Sequence, residues 1–506
     1  MQASQSGRTS SFIGKLTFAA ALIVAAVLVA FPTIGTLILS FQDIDMSRGF
    51  ANTFAGAENY QYLLQSRGFP VSVVHSLLFS GLSALVVLAA GALVGYALRA
   101  LPVRWLRHAL CTALLLPVLT PGVLWAQAFF AIFSPTAEQS LPALALWCGL
   151  KYVGLAALLT TAALSHGNRS TTLPLLSAGV VALGLFTLLG LLDYTFLHRL
   201  SSNSVMRTSL DMTSYFALIG QARFGLTTAA SILALGLRAV LLAAVAFPVG
   251  ALVRRLFPAD LVAAEATTKD RLFSLLASGA IALAVAVALA TTSLGTPAWP
   301  MLPRAMAMYP VYIALAFGGG IVNTALCFCL ARPVATAQPA RRRITAALLL
   351  LTALGTIPVS MGEYLEFRSL GMTNTYFPVL LSGIGSTMGV WPLVFAARAL
   401  GVGTDEDWFK RMWRPALALL AANVALRMND TLPSSIYISN ASMLHPLQAL
   451  IGMWEHKDLA SMGDVPVIAI SALITLLTMA VPATLLLVVR TVFTEKETVG
   501  LALPRK

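Results

Sequence analysis

The sequence predicts an all-α integral membrane protein, with about twelve transmembrane helices arranged as two parallel six-helix repeats. Three observations support this fold class. Hydrophobic residues form 58% of the 506 residues and charged residues only 10%, whereas soluble domains carry about 25% charged residues. Long apolar runs recur along the whole chain. The basic residues between those runs alternate between rich and poor segments, as they do in multi-pass membrane proteins.

Twelve apolar runs are each long enough to cross about 30 Å of hydrocarbon. A lipid-spanning segment must be helical, because an open strand would leave its backbone polar groups without partners. The runs cover residues 13–41, 71–98, 108–133, 141–164, 173–197, 225–252, 271–292, 310–331, 344–362, 376–397, 414–430 and 466–489.

The net charge of +13 follows from this topology. With both termini in the cytoplasm, 22 of the 33 Lys and Arg residues fall on the cytoplasmic side and ten on the outer side, with Lys151 counted among the ten. Arg238 lies within a span. This asymmetry obeys the positive-inside rule, so the basic composition does not indicate nucleic-acid binding. The first run is longer than a signal-peptide core, and we interpret it as a retained helix.

Nothing in the sequence indicates catalysis or metal binding. The four cysteines all lie in apolar runs, where they are expected to be small core residues; they are Cys111, Cys148, Cys327 and Cys329. The chain has no Gly-x-x-x-x-Gly-Lys-Ser/Thr phosphate loop, and no catalytic triad or carboxylate pair can be recognised. We therefore expect a protein that is not an enzyme and holds no metal or cofactor itself.

A weak internal repeat divides the chain into two halves. RHALCTALLLPVLTPG (107–122) resembles RRITAALLLLTALGTIP (342–358), and each follows a short basic loop. Six spans per half would place the start of both halves in the cytoplasm. The predicted divisions are a first half over 1–256, a cytoplasmic linker over 257–270 and a second half over 271–506. Duplication around a central pathway is a common plan of transporters.

The segment IPVSMGEYLEFRSLGMTNTYFPVLL (357–381) carries a more specific resemblance. It resembles the membrane subunits of ABC importers of the maltose and glycerol-phosphate kind, in which a short outer helix precedes a Leu-Gly-Leu-x-Asn-Thr-Tyr turn. The start of one subunit of that family resembles FPTIGTLILSFQD (31–43). The end of the other subunit resembles ALIGMWEHKDLASMGDVPVIAISAL (449–473). The chain thus resembles both permease subunits fused into one.

The resemblance implies several partners. ATP would be bound by a separate ATPase subunit, a dimer in that family, and a periplasmic solute-binding protein would deliver the solute to the outer loops. The chain would lie in the bacterial inner membrane with both termini cytoplasmic.

The loops that would receive the ATPase depart from the family pattern. In the first half only SHGNRSTT (165–172) occupies the position of the docking helix, so that helix is missing. The second half has a longer loop, over 398–415, without the Glu-Ala-Ala core. Its candidate docking residues are Gly401, Gly403, Asp405, Trp408 and Phe409, with Met412 extending the apolar edge of a short helix. An amphipathic helix at the membrane surface is the open alternative.

Polar residues in predicted spans are candidates for the solute pathway, since they are costly in lipid and often functional. The candidates are Asp193, Tyr194, Asn423, Arg427 and Asp430. Asn423 and Arg427 share one helix face. Arg427 and Asp430 could instead simply pair with each other. Glu363 and Glu366, at the outer surface, are expected to be solvated.

The expected function is therefore the permease of an ATP-driven importer for a sugar or similar polar solute. A degenerate permease that acts as a non-pumping scaffold or regulator is the alternative. A secondary transporter driven by ions would require carboxylates deep in the spans, and the sequence has few acidic residues there.

Overall fold

The computed structural model describes residues 15–45, 51–100, 141–164, 223–256, 302–336, 341–355, 361–400, 405–440 and 443–445, together with the single positions 110, 117, 125, 210, 272, 276, 279 and 402. These residues are mostly helical. Within them, one antiparallel hairpin is formed by β1 (Gln42–Asp45) and β2 (Ala51–Phe54), with Gln42 opposite Phe54 and Asp45 opposite Ala51.

The helices are named here in chain order within those described ranges. The first seven are α1 (Lys15–Leu39), α2 (Glu58–Gln65), α3 (Gly68–Ala100), α4 (Leu141–Leu164), α5 (Phe224–Leu256), α6 (Leu302–Ala335) and α7 (Arg341–Leu354). They are followed by α8 (Met361–Ser369), α9 (Phe377–Leu381), α10 (Val390–Ala399), α11 (Asp405–Asn429) and α12 (Leu432–Tyr437). A π-helical segment, Ala26–Ala30, lies within α1.

Four of these helices are long and apolar enough to cross a membrane. They are Lys15–Leu39 and the segments Gly68–Leu98 of α3, Phe224–Leu241 of α5 and Ala307–Ala335 of α6. Shorter apolar helices occur at Leu141–Gly154 and Arg343–Thr352. This architecture is compatible with a membrane protein.

Two predicted spans differ from the structure. The span predicted over 344–362 ends as a helix at Leu354, and Met361 already belongs to the separate helix α8. The span predicted over 376–397 is interrupted, because α9 ends at Leu381 and a 3-10 turn, Thr387–Gly389, precedes α10. The runs 173–197 and 466–489 lie outside the described residues.

Close contacts define the relative directions of neighbouring helices. Gly149 of α4 lies against Ser83 and Val86 of α3, and further along both helices Ala156 lies against Gly91. Helices α3 and α4 are therefore parallel. In contrast, α6 and α11 are antiparallel, since Gly320 lies against Val424 while Phe328 contacts Trp408 near the start of α11.

Lys151 corrects one detail of the predicted charge distribution. It lies inside α4 rather than in an outer loop, and only 5% of its surface is exposed. Its ammonium group is 5.6 Å from the ring centroid of Tyr152. One turn earlier, Trp147 stacks on Trp125, and each indole N–H donates to the other residue's carbonyl oxygen. This side of α4 is therefore a packed interior.

Helix α1 packs against the second half of the chain. Its Ala21 and Ala25 belong to a buried cluster with residues of α6, α7, α10 and α11. Further along α1, the hydroxyl of Thr36 accepts a hydrogen bond of 3.1 Å from the Gly362 N–H of α8. A Cβ added to Gly362 would collide with the carbonyl oxygen of Pro32. Glycine at this position therefore allows the two helix backbones to approach closely.

Candidate functional site

The candidate site lies where the interrupted span, α9–α10, meets α6 and α11. Gly383 and Gly385 have φ angles of 71° and 93°, which residues with side chains rarely adopt. These two glycines end the helical path after α9 and redirect the chain. An unwound backbone inside an apolar protein needs partners for its polar groups, and neighbouring helices supply them.

Arg427 of α11 caps the carboxyl end of α9. Its Nη1 donates to the Ser382 carbonyl oxygen at 2.6 Å, and its Nη2 donates to the carbonyl oxygens of Val379, at 3.2 Å, and Leu380. A helix carboxyl end carries unpaired carbonyls and partial negative charge, so a guanidinium stabilises it. The guanidinium lies against Gly319 of α6, where an added Cβ would collide with it.

Other polar side chains hold the rest of the unwound segment. The Gly385 N–H donates to Asn323 Oδ1 at 3.2 Å, and the Cys327 thiol donates to the Ser386 carbonyl oxygen at 3.3 Å. The hydroxyls of Thr352 and Thr387 lie 2.6 Å apart. These contacts tie the break to both α6 and α7.

The predicted pathway residues are placed as follows. Asn423 lies one turn before Arg427 on the same side of α11, and its Nδ2 donates to Thr324 Oγ1 of α6 at 2.9 Å. Asn423 and Arg427 are both half-buried. Asp430 follows the end of α11 and is exposed, close enough to Arg427 for a Coulombic attraction. The structure thus brings these three together, and Arg427 binds backbone carbonyls in addition to facing Asp430. Asp193 and Tyr194 lie outside the described residues.

A second polar cluster lies beside Asp430 on the predicted outer side. The ring of Tyr437 stacks on Tyr364, with centroids 6.2 Å apart, and contacts the edge of Phe367 at 5.3 Å. Burial raises the pKa of the Glu363 carboxyl to about 7; the Tyr437 hydroxyl opposes this by hydrogen bonding to the carboxyl, while the negative charges of Glu366 and Asp430 add to it. Burial also raises the pKa of Glu366.

The expectation that Glu363 is solvated is therefore wrong. The side chain is only partly exposed, because α8 lies between α1 and the loop after α11 instead of projecting from the surface. Glu366 also contacts α1: an added Cβ at Gly35 would lie 3.5 Å from its Oε1.

The loop beyond α12 supplies a buried histidine to the same outer end. His445 contacts the ring of Tyr312 with centroids 4.6 Å apart, and the Tyr312 hydroxyl donates to the Met443 carbonyl oxygen at 2.9 Å. Burial lowers the pKa of His445 to about 4, opposed by a hydrogen bond to the backbone of Met428. His445 is therefore neutral at physiological pH.

The predicted docking residues are arranged differently from the expectation. Trp408 and Met412 are fully buried in the cluster that contains Ala21 and Ala25, so they cannot form an exposed apolar edge. Phe409 is 60% exposed. Trp408, Phe409 and Met412 belong to one 25-residue helix that starts at Asp405 and continues into the predicted span, rather than to a separate short helix. Gly401 and Gly403 lie outside the described residues.

Sequence reasoning identified Arg427 and Asn423 but missed the residues that they contact. Gly319, Asn323 and Thr324 lie in an apolar run, where the signal was a Gly-Gly-Gly-x-x-Asn-Thr string (318–324). Ser382 and the two glycines with positive φ lie in Ser-Gly-Ile-Gly-Ser (382–386). Small residues in a span commonly mark close helix contacts, and here they also permit an interruption.

No protein-family model and no curated protein matches the chain.

Proposed function

We propose that the chain is the membrane permease component of an ABC-type importer for a sugar or a similar polar solute. Its two fused six-helix halves, 1–256 and 271–506, would alternate between outward-open and inward-open states around a central route. A separate ATPase would supply the energy, and a periplasmic binding protein would deliver the solute. The chain would lie in the bacterial inner membrane with both termini cytoplasmic.

The turn after α8 is the observation that carries this proposal. Helix α8 ends as a Schellman motif, in which Met372 N–H donates to Phe367 O at 2.8 Å and Gly371 N–H to Arg368 O at 3.0 Å. Gly371 and Asn374 have φ angles of 66° and 61°. Gly371 therefore ends helix α8. This short helix and turn have the form that the resemblance to the permease family requires.

Asn374 gives that turn a specific role. Its Oδ1 accepts hydrogen bonds from the Ser439 N–H at 2.6 Å and the Ser439 hydroxyl at 2.7 Å, while its own N–H donates to the Tyr437 carbonyl oxygen at 2.9 Å. The turn therefore fastens the end of α8 to the loop after α11, where the solute-binding protein is proposed to contact the permease.

Helix contacts agree with the proposed sidedness. Ala21 and Ala25 pack with predicted cytoplasmic ends of other spans, whereas residues near predicted outer ends form separate clusters; one of these contains Leu39, Ile44, Phe224, Tyr364 and Leu365. Parallel α3 and α4 fit two even-numbered spans, and antiparallel α6 and α11 fit one even and one odd span. These relations agree with the alternating directions that the proposed topology gives to successive spans.

In this proposal the interrupted span is the element that adjusts during transport. Discontinuous helices line the solute sites of many transporters. Here Asn423, Arg427 and Asp430 would face the route, and Gly383, which is exposed, would present backbone to it. A polar solute could hydrogen-bond to these groups, and Arg427 would keep the end of α9 in place while α10 moves with α6.

A non-pumping scaffold or regulator is the second candidate. The burial of Trp408 and the continuity of α11 favour it, because the described residues between 398 and 415 contain no separate short helix on which an ATPase could dock. The eight-residue sequence at 165–172, which is too short for a docking helix of several turns, favours it as well.

Purification of the tagged full chain from native membranes in mild detergent separates the two candidates. The importer proposal expects a stably associated ATPase, and ATP hydrolysis in proteoliposomes that the solute-binding protein stimulates. Absence of an ATPase under these conditions would favour the scaffold. Uptake that persists without ATP and stops when an ion gradient is dissipated would instead establish a secondary transporter.

A further inference from the structure

The first turns of α11 present two exposed aromatic rings on one side. Phe409 is 60% exposed and Trp413, one turn later, is 45% exposed, while Leu417 on the next turn is 37% exposed. The adjacent side of the same turns, with Trp408 and Met412, is fully buried. These turns therefore have one face fixed in the protein and one face turned outward.

Cationic groups accompany the rings. The guanidinium of Arg414 lies 5.1 Å from the Trp413 ring centroid, and that of Arg332 lies 5.4 Å from the Phe409 centroid. Lys410 is exposed beside them. We call Phe409, Lys410, Trp413, Arg414 and Leu417 the aromatic–basic surface.

We propose that the aromatic–basic surface binds the headgroups of anionic phospholipids in the leaflet on its side of the membrane. Aromatic rings of this kind occupy the boundary between headgroups and acyl chains, and Leu417 would extend into the acyl region. Lys and Arg side chains extend toward phosphates while their stems cover apolar surface. Stacking uses the face of the Arg414 guanidinium, and a phosphate binds at its edge.

Positive charge beside exposed aromatic rings is complementary to an anionic lipid surface. Each Lys or Arg near an anionic leaflet contributes about 1 kcal/mol to binding. The exposed Arg343, at the start of α7, lies in a segment that the proposed topology also places on this side. Three acidic residues, Asp405, Glu406 and Asp407, precede the surface in sequence, at a helix amino end, where negative charge is favoured. The inference uses the proposed orientation of the chain but does not require an ATPase.

Lipid-specific quenching of Trp413 tests the proposal. The full chain is reconstituted in bilayers of phosphatidylcholine that contain either brominated phosphatidylglycerol or brominated phosphatidylcholine. The signal of Trp413 is obtained as the difference between the wild type and W413F. We expect the brominated anionic lipid to quench this signal at lower mole fraction. Because 1 kcal/mol corresponds to roughly fivefold in affinity, K410Q and R414Q should each reduce the preference about fivefold.

The R368Q variant is the matched control, since Arg368 is exposed on α8 at the predicted outer side. It should leave the preference of Trp413 unchanged, and thermal unfolding should confirm that all variants are folded. Equal quenching by both lipids would overturn the proposal. So would a preference that survives in the K410Q/R414Q double variant, or one that R368Q reduces as much as K410Q does. Protection of Trp413 only when an ATPase is added would assign the surface to that protein instead.

Discussion

Arg427 illustrates how one cation can be accommodated inside an apolar protein. Three backbone carbonyls receive its N–H groups, and Gly319 leaves the space that its guanidinium occupies. Hydrogen bonds to charged groups are worth about 1.5–3 kcal/mol each when a partner would otherwise be left unpaired. Its first role is therefore to hold the end of α9.

Gly319→Ala is expected to displace Arg427 and destabilise the protein by about 1–3 kcal/mol, as overpacking of an interior generally does. Unfolding of the purified protein in detergent would measure this loss. Gly236→Ala is the matched control, because an added Cβ there meets nothing within 4 Å, and alanine is the better helix former by about 1 kcal/mol. Equal effects of the two substitutions would show that Gly319 is not a steric requirement.

Glu363 should make stability depend on pH. Its folded-state pKa of about 7 exceeds the ordinary value of 4.5, so the folded state retains a proton that the unfolded chain has lost. Stability should therefore fall as pH rises from about 4.5 to about 7, and stay level above that, with a total of about 3 kcal/mol.

Titration of His445 changes the stability in the opposite direction over an overlapping pH range. The quantity to compare is therefore the free energy of unfolding of E363Q minus that of the wild type. The stability of E363Q relative to wild type should increase between about pH 4.5 and 7. E58Q, at an exposed position of α2, is the control. A difference that stays constant over this range would contradict the proposed burial of a neutral Glu363.

At the scale of elements, the interruption between α9 and α10 depends on glycine conformation. Gly383→Ala should cost about 1–2 kcal/mol, the usual penalty for a left-handed residue with a side chain, because Gly383 is exposed and only the Arg427 Nη1 lies within 4 Å of an added Cβ, at 3.6 Å. Thermal unfolding would measure this cost. Gly81→Ala is the control, because Gly81 lies in a regular helix and an added Cβ there meets nothing within 4 Å. Stabilisation by both alanines would indicate that the span is continuous.

Hydropathy predicted the long helices closely but could not predict where a span breaks. The run predicted over 141–164 is helix α4, and the run over 225–252 lies within α5. By contrast, the hydropathy of Leu-Ser-Gly-Ile-Gly (381–385) is compatible with a continuous helix. Its unwound form is stabilised by contacts with Asn323 and Arg427, which are distant in sequence. Trp408 was misplaced for the same reason: helical periodicity indicates a face, but not which neighbour covers it.

At the scale of the whole molecule, sidedness can be tested at two exposed positions. In a chain whose four native cysteines are replaced by alanine, Phe54→Cys, at a position 83% exposed, should react with a membrane-impermeant maleimide in intact cells. Lys410→Cys, also at an exposed position, should react only after permeabilisation. These outcomes follow from six spans per half with both termini inside.

Labelling of position 410 in intact cells, or protection of position 54, would contradict this topology, and both outcomes together would indicate the inverted orientation. A reporter fused within 165–172 provides an independent check of the same topology, since this loop should be cytoplasmic.

The contact between Thr36 and Gly362 sets an order for the assembly of the protein during synthesis. The two residues are 326 positions apart in the chain, and ribosomes add about 5–20 residues per second. Helix α1 therefore waits roughly 16–65 s for its partner, with the Gly35–Thr36 side covered meanwhile only by lipid or by the insertion machinery. Ribosome stalling in the second half should consequently leave the amino-terminal helix accessible to membrane proteases and chaperones.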